Sequence, residues 1–480
     1  GIGPKTLQNF HRELGVDSKD ALLEALESGE VAQLEGFGEK TQEKLLDAIR
    51  WYEEAQERVL LAEALEVAED LVDKLKESEA GKHILKIEVA GSLRRRKSTV
   101  GDIDLLIAAE AGHRREIFDT FVGMDFVEDV VARGDTKLTV QGKMLDRDID
   151  LRIVEEEEWG SALLYFTGSK EHNIQLRRMA NEKDWKISEY GLFSEENDER
   201  IAGETEASIY EKLELAYVPP EMREDRGEIE KAAEDDLPEL LELSDIRGDL
   251  HMHSTWSDGK AELKEIVEYV REHYDYEYIV MTDHTKSARI AQGLDEDDFK
   301  RQFEAIDKLN EEIGERFLKK GAEVDILEGG KLDLGDDILE NFDWVVASIH
   351  SRMRDDNTQR LLTACEHPCV HAIGHPTGRL IGRREGYPLD VEALIEKAEE
   401  THTALEINAQ PRRMDLEDKW ARAARDAGVM LVIGTDSHNL GSYRYMKVGL
   451  GLARRAWCES GHVLNTRTWK EIEKWKSENT

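Results

Sequence analysis

The sequence predicts a multidomain protein that joins an α+β part to an α/β part, and three observations lead to this fold class. A length of 480 residues corresponds to roughly three ordinary domains. Residues 1–86 show amphipathic helical periodicity interrupted by glycine turns, whereas strand patterns begin near residue 84. From residue 246 to 480, short apolar strands alternate with helices, which favours a parallel α/β sheet or barrel.

Composition excludes several classes of protein. Hydrophobic residues make up 40% of the chain, enough to form buried cores, so wholesale disorder is excluded. No apolar run approaches the ~20 residues that span a bilayer, and we expect no signal peptide. Because Cys365, Cys369 and Cys458 are too few for a disulfide scaffold, we expect a reducing, cytoplasmic location. The net charge of −40 is unusual for a protein that binds nucleic acid.

Residues 1–86 contain two copies of one glycine turn, each followed by an amphipathic helix. The copies read GIGPKT from residue 1 and GFGEKT from residue 36. Glycines in such a turn let backbone N–H groups approach a phosphate at the start of the next helix. One copy alone would indicate an ordinary helix connector. Two copies favour a helix-hairpin-helix clamp on the DNA backbone, with DNA-binding residues Gly1, Gly3, Lys5, Gly36, Gly38 and Lys40.

Three aspartates in the strand-rich part of the chain predict a two-metal site. Asp102 and Asp104 are two apart on a predicted strand, so their side chains face the same side of a sheet. Asp150 lies in a second predicted strand. Three carboxylates that converge across a sheet suit two Mg²⁺ (or Mn²⁺) ions, which would activate a 3′-hydroxyl and stabilise a leaving pyrophosphate.

The residues before this aspartate pair strengthen the prediction. Asp-x-Asp by itself would indicate only surface acid on an amphipathic strand. Here it is preceded by Gly91 and Ser92, which let the backbone approach a triphosphate, and by Arg95, which supplies a cation for its oxygens.

A second constellation of metal-ligand residues follows the apolar strands of residues 246–480. His251 and His253 form an H-x-H on one strand, so both imidazoles point to one face. Catalytic groups of parallel α/β folds gather at the carboxyl ends of the strands, where the other candidates recur. Such a set suits two or three divalent ions and metal-assisted hydrolysis of a phosphate ester. The candidate ligands are His251, His253, Asp258, His284, Glu323, His350, His375, Asp436 and His438.

The run GSLRRRKSTVGDIDLL at residues 91–106 resembles the palm signature of family X DNA polymerases, the group of DNA polymerase beta. The YFTGS segment at residues 165–169 is similar to the family's segment beside the sugar of the incoming nucleotide. The resemblance implies a nucleotidyltransferase palm with a mixed β-sheet at 87–158 and a small α/β thumb at 159–218. It further implies nucleotide-binding residues Tyr165, Phe166, Gly168 and Asn173 beside Gly91, Ser92 and Arg95, and a template-contacting Arg177.

The histidine-rich series resembles the PHP (polymerase and histidinol phosphatase) domain, a distorted (β/α)₇ barrel with a three-metal site. The resemblance implies an active domain at 246–480, since all nine ligand positions are filled, holding Zn²⁺, Mn²⁺ or Fe. A polar stretch at 219–245 is predicted to be the linker. The family's N-terminal 8-kDa domain is expected to be absent, so that 1–86 forms a helix-hairpin-helix, fingers-like region.

Together these features predict a family X DNA polymerase of bacterial or archaeal type that fills short gaps in DNA repair. The PHP domain is expected to act as a 3′–5′ exonuclease or phosphodiesterase. Expected partners are gapped or primer-template DNA and dNTPs, with no membrane and a monomeric state. One alternative is a PHP phosphoesterase for a small phosphorylated substrate, with a non-catalytic DNA-binding front half. Another is a non-enzymatic DNA-binding scaffold.

The acidic charge leads to a prediction about solvent. Basic residues cluster within or between the proposed sites, as in the run at 94–97, so we expect acid to cover the outer faces and basic groups to line the DNA path. Such acidity resembles that of proteins from extreme halophiles. In molar salt the Debye length is about 3 Å, so diffuse repulsion of DNA is nearly abolished.

Overall fold

The computed structural model describes residues 4–56 and 58–478. Within these residues the chain divides into two compact units. The first comprises the chain up to Val59 together with Ile381–Arg384, and the second comprises Leu60–Leu380 and the chain from Glu385 onward. None of the helices in these residues is both long enough and apolar enough to cross a membrane.

The first unit is helical, as the glycine-turn pattern predicts. Its helices are Pro4–Leu14, Lys19–Glu27 and Glu39–Gln56, packed around Phe10, Leu26 and Val31. In the second hairpin Gly36 has a φ of +87°, and the Gln42 side chain accepts a hydrogen bond from the Ala32 amide at 2.8 Å.

The predicted DNA-binding residues of this unit lie at its surface where they are described. Lys5, Gly36, Gly38 and Lys40 are exposed, whereas Gly1 and Gly3 lie outside the described residues. The hairpin at Gly36 is therefore open to solvent on the side that bears Lys40.

The predicted region 1–86 is divided between the two units. The fourth helix, Leu61–Glu77, follows the short strand Val59–Leu60 and belongs to the second unit. Its buried face, which includes Leu61, Leu71 and Leu75, packs against the strands Ile84–Val89 and Thr99–Val100. Burial of that apolar stripe explains why the helix joins the sheet that follows it.

A five-stranded mixed sheet confirms the predicted palm architecture. The parallel strands Ile103–Ala109 and Arg147–Val154 lie at its centre, and the remaining pairs are antiparallel. The short helices Gly91–Arg94 and Arg114–Val122 accompany the sheet. The strand order is Ile84–Val89, Ile103–Ala109, Arg147–Val154, Lys137–Gly142 and Val127–Arg133.

The next region is a small α/β layer with its own core. Helices Trp159–Thr167, Lys170–Asn181 and Glu206–Lys212 pack around Leu164, Leu176 and Ile209. A three-stranded antiparallel sheet completes it, formed by Trp185–Ser188, Gly191–Ser194 and Arg200–Ala202.

The polar stretch 219–245 is packed rather than extended, which differs from the simple linker that composition predicts. Arg223 is fully buried, donating to Glu206 and to the Val218 carbonyl, and Glu228 bonds to buried His172 at 2.7 Å. The stretch also contains the helix Glu228–Ala233. Its buried charges pair with residues of neighbouring elements, so a polar composition is compatible with burial.

Seven parallel strands in sequential order form the predicted barrel. Hydrogen bonds from His253 N to Ser437 O and from Asp436 N to His251 O, each 2.8 Å, join the segments that directly follow the first and the last strand. The strands are Gly248–Asp249, Tyr278–Met281, Leu318–Asp325, Trp344–Ser348, Ala372–Ile373, Ala404–Asn408 and Leu431–Gly434. The accompanying helices are Leu263–His273, Glu296–Ile313, Asp336–Leu339, Thr358–Cys365, Val391–Glu400, Asp418–Asp426, Met446–Arg455 and Trp469–Ser477.

Two candidate active sites

The three predicted aspartates converge on one face of the mixed sheet. Asp104 and Asp150 are directly paired on the two parallel central strands, and Asp102 immediately precedes the first of these. Carboxylate oxygens of all three lie within 4.8 Å of one another. Parallel register therefore produces the convergence that the spacing predicts.

This convergence is electrostatically costly without a cation. Burial, together with the charges of Asp102 and Asp150, raises the pKa of Asp104 to about 7. Asp150 accepts a hydrogen bond from Thr139 at 2.6 Å and lies 2.7 Å from Lys137 Nζ. Carboxylate oxygens in this arrangement are the donor set that hard divalent cations prefer, so the site fits a divalent metal.

Gly91 makes room for this site in a way that the sequence did not indicate. Its φ is +59°, and a Cβ atom at this position would lie 2.2 Å from Asp104 Oδ2. Ser92 is half-buried in the same helical turn. Glycine is required because any side chain would displace the carboxylate of Asp104.

The basic run at 94–97 is engaged in ion pairs, which corrects the expectation that it lines a DNA path. Arg94 forms two bonds to Glu206, at 2.8 and 2.7 Å. Arg95 pairs with Glu224 at 3.0 Å and donates to the Thr167 carbonyl. The run is half-buried, and Glu206 and Glu224 pair with Arg94 and Arg95, so it does not form an exposed basic patch.

The segment expected to hold the nucleotide forms a helix end and turn beside Arg95. Tyr165 and Phe166 are half-buried, with ring centroids 5.1 Å apart, and Gly168 has a φ of +68°. The Asn173 amide donates to the Tyr165 carbonyl at 2.8 Å, and the Arg177 guanidinium lies 6.0 Å from the Tyr165 ring centroid. These residues share one neighbourhood, as the resemblance implies.

The barrel brings the nine predicted ligands to the carboxyl ends of its strands. All but His375 fall into three overlapping groups whose ligand atoms lie within 4.8 Å of one another. These groups are His253, Asp258, His284 and His438; His251, His253 and Asp436; and His284, Glu323 and His350. Shared members make the cluster one continuous site.

Glu323 lies at the centre of this cluster. Its Oε1 is 2.9 Å from His375 Nε2 and 3.3 Å from His350 Nε2, and its Oε2 is 2.8 Å from His284 Nδ1. Burial opposes ionisation, but the surrounding imidazoles, His350 first, hold the pKa of Glu323 well below its usual range. A buried ionised carboxylate with histidines on both oxygens is suited to bridge two cations.

The imidazoles fit bound metal ions. His251 Nε2 and His253 Nε2 are buried without a hydrogen-bond partner among the residues that the structure describes. Carboxylate oxygens of Glu323 and Asp436 nevertheless lie 3.5 and 3.2 Å from these two nitrogens. Buried polar atoms are normally hydrogen-bonded, so unpaired nitrogens that face carboxylates indicate ligands for a cation.

Sequence reasoning missed the residues that orient these ligands. Glu406 accepts a bond from His251 Nδ1 at 2.6 Å and another from the His375 amide at 2.6 Å, while Asp325 pairs with His350 Nδ1 at 2.8 Å. Such bonds fix which imidazole nitrogen faces a metal. The sequence feature that could have indicated them is a charged residue within an otherwise apolar, buried strand.

Known proteins are similar to this chain along nearly its whole length and within each half. A family model for the DNA polymerase beta thumb matches residues 162–224. The DNA polymerase/3′-5′ exonuclease PolX of Bacillus subtilis (strain 168) is 41% identical over 477 residues, covering 98% of this chain and 82% of that protein. A probable phosphatase of Thermoanaerobacter sp. (strain X514) is 32% identical over 237 residues, covering 46% of this chain and 91% of that protein.

Among solved structures, a Leishmania infantum polymerase beta ternary P/T complex is 22% identical, with a TM-score of 0.31, covering 47% of this chain and 94% of that chain. A score of this size supports no conclusion. The identity to PolX along nearly the whole chain does, and the phosphatase relatives match the half that forms the barrel. The chain therefore belongs to the family X DNA polymerases that carry a PHP-like C-terminal domain.

Proposed function

We propose that this protein is a DNA polymerase with a separate 3′–5′ exonuclease or phosphodiesterase site, acting at short gaps during DNA repair. The observation that carries the proposal is the presence of two complete ligand sets in one chain, the aspartate triad and the nine-residue barrel cluster. A relative that matches 98% of the chain combines the same two activities in its name.

In the palm, Asp102, Asp104 and Asp150 would hold two Mg²⁺ or Mn²⁺ ions, which when bound activate the primer 3′-hydroxyl and neutralise the departing pyrophosphate. The chain's own residues prepare this chemistry. Lys137 and Thr139 orient the Asp150 carboxylate. The three carboxylates stay close because their strands are in parallel register.

Nucleotide binding is proposed for the neighbouring residues. Gly91 and Ser92 would present the backbone to the triphosphate, and Arg95 would contact its oxygens. The rings of Tyr165 and Phe166, with Gly168 and Asn173, would border the nucleotide. The Tyr165 and Phe166 rings lie edge to face, 5.1 Å apart between centroids, and would together form a wall beside the sugar.

In the barrel, the nine ligands would hold two or three Zn²⁺, Mn²⁺ or Fe ions, which supply Lewis acidity and an activated water for phosphodiester hydrolysis. Glu323 spans the cluster, and Glu406 and Asp325 hold His251 and His350 in the required tautomers. Six of the nine ligands are buried, whereas Asp258, His350 and His438 are partly exposed, so substrate and water would reach the cluster from their side.

DNA contacts are proposed for Arg177 and for the hairpin residues Gly1, Gly3, Lys5, Gly36, Gly38 and Lys40. The hairpin residues are supported by the repeated glycine turn and by the exposure of Lys5, Gly36, Gly38 and Lys40, whereas Arg177 is half-buried beside the Tyr165 ring. We further propose a monomer, with gapped DNA and dNTPs as its substrates.

Paired substitutions test the two-site proposal. Asp104→Ala removes one half-buried ligand of the triad, and we expect primer extension to be lost while DNA degradation continues. His253→Ala is the matched variant, expected to abolish degradation and retain extension. Both reactions are followed on one gapped duplex with a labelled primer. Extension that survives Asp104→Ala would contradict the polymerase assignment.

The small-molecule phosphoesterase reading predicts a different result. It requires turnover of a phosphorylated metabolite with no effect of gapped DNA on that turnover, and no extension in any variant. The match to PolX along the polymerase half favours the two-site reading.

A further inference from the structure

A set of ion pairs with little solvent exposure links the proposed triphosphate ligand Arg95 to the barrel helix Met446–Arg455. Arg95 Nε lies 3.0 Å from Glu224 Oε1, and Arg455 Nη1 lies 2.9 Å from the same oxygen. The exposed fractions of the three side chains are 12%, 11% and 4%. One carboxylate is therefore shared between an arginine of the palm and an arginine of the barrel.

Arg455 is itself held in place on both sides. Its Nη1 donates to the Arg95 backbone carbonyl at 2.8 Å, and its Nη2 donates to Asp418 at 2.7 Å. Asp418 also accepts from Arg226 at 3.0 Å. Because each charge in this set has a partner, the arrangement is rigid and its geometry is specific.

The close approach of the backbones confirms that the contact is tightly packed. A Cβ atom at Gly451, on the same barrel helix, would lie 3.1 Å from the Cβ of Arg96. Few larger residues fit there. Arg455 can therefore reach Arg95 directly, because the helix lies against the palm turn.

These bonds orient Arg95 but do not occupy all of its hydrogen-bond donors. Its Nε serves Glu224 and its Nη1 serves the Thr167 carbonyl, while Nη2 makes no hydrogen bond within the described part of the chain. A guanidinium has five N–H donors, so donors remain for phosphate oxygens. The Glu224 bond thus fixes the plane in which the free edge of Arg95 is presented.

We propose that Arg455 is a positioning residue of the polymerase site: by sharing Glu224, it orients Arg95 and leaves its charge available to the triphosphate of the incoming dNTP. This rests on the proposed role of Arg95 in nucleotide binding. The barrel then contributes to polymerisation as well as to hydrolysis, although Arg455 does not touch the nucleotide.

Electrostatics gives the expected direction of the effect. Glu224 is a buried carboxylate beside a site for a polyanion, and Arg455 supplies part of its neutralisation. Without Arg455, Arg95 and Lys97, whose Nζ lies 3.7 Å from Glu224 Oε2, are left to offset the charge of Glu224, so more of that charge acts on Arg95 and on the approaching triphosphate. Binding of dNTP weakens, whereas the aspartate triad is untouched.

The test measures KM for dNTP and kcat in gap filling, together with the rate of 3′–5′ degradation, on the full-length protein. For Arg455→Gln we expect KM to rise about tenfold, which is the scale of coupling between residues in direct contact. The values of kcat and of the degradation rate should change by no more than about twofold. Arg454→Gln is the control, since Arg454 is a neighbouring buried arginine paired with Glu221 at 2.8 Å and Glu242 at 2.7 Å. It should leave KM unchanged.

A double-variant cycle distinguishes positioning from general stabilisation. In a Glu224→Gln background, Arg455→Gln should change KM by less than about twofold, because the carboxylate through which it acts is gone. If Arg455→Gln does not fold, Arg455→Lys serves instead. One ammonium cannot reach Glu224, Asp418 and the Arg95 carbonyl together, so KM should rise about threefold.

The outcomes separate this proposal from the proposed function. If the wild-type protein does not extend primers, the proposed function fails. If it does, and KM is unchanged in Arg455→Gln or in Arg455→Lys, the positioning role is wrong. A KM rise of equal size in Arg454→Gln, or an undiminished effect in the Glu224→Gln background, also overturns it.

Discussion

Replacing Gly91 by alanine is expected to separate polymerisation from folding. The new Cβ would lie 2.2 Å from Asp104 Oδ2, whereas Cβ atoms essentially never approach a neighbour within 3.0 Å. The carboxylate must therefore withdraw by about 1 Å, a misplacement that typically costs about a hundredfold in rate. An alanine in the left-handed backbone conformation at a φ of +59° adds about 1–2 kcal/mol of strain. This strain lowers the stability of the fold but does not change the rate of the chemical step.

Single-turnover gap filling with saturating dNTP measures this effect. For Gly91→Ala we expect a rate reduction of about a hundredfold, or ~2.7 kcal/mol in the activation free energy. The 3′–5′ degradation rate should be unchanged, because the barrel site shares no residue with the triad.

Gly112→Ala is the matched control. Gly112 also has a positive φ, +88°, but a Cβ atom there meets no atom within 4 Å. The variant carries similar backbone strain without the contact, so it should extend primers at the wild-type rate. A wild-type rate in Gly91→Ala, or an equal loss in Gly112→Ala, would refute the steric argument.

Three further predictions concern the barrel, the triad and the solvent. Glu406→Gln should lower degradation about 10–100-fold with extension unchanged, since His251 loses the partner that orients it, while exposed Glu396→Gln should change neither rate. With a chelator present, Asp104→Asn should raise the free energy of unfolding at pH 8 but not at pH 4. The pKa of Asp104 is about 7 in the folded protein and 3.8 in the unfolded chain, so its ionisation destabilises the fold only above pH 3.8. Equal effects at both pH values in denaturant titrations would contradict this. Gap filling should need high salt, and a maximum at low ionic strength would refute the halophile prediction.

Much of both sites could be predicted because spacing in sequence translates directly into geometry in strands. Asp102 and Asp104 share a face because strand side chains alternate, and Asp150 joins them because parallel strands end at one edge. The histidines of the barrel follow the same rule. Motifs on regular elements are therefore readable without a structure.

What could not be predicted depends on partners distant in the chain. The sequence predicts that Gly91 lets the backbone approach a phosphate, whereas in the structure the residue that a side chain at this position would meet is Asp104, through its carboxylate. The sequence predicts that Arg94 and Arg95 form a basic patch, but in the structure they pair with Glu206 and Glu224, which lie more than a hundred residues later in the chain. Composition counts charges without showing how they pair, so buried ion pairs and exposed patches look alike.

The closure of the barrel by its first and last strands has a consequence for biosynthesis. His251 and His253 meet Asp436 only when the final strand, Leu431–Gly434, takes its place beside the first. The aspartate triad needs no residue beyond Asp150. On the ribosome, where domains fold from the N-terminus, the triad can assemble while the hydrolytic centre is still incomplete. A nascent chain therefore cannot assemble its nuclease centre until the last barrel strand and the ligands that follow it, Asp436 and His438, have been made.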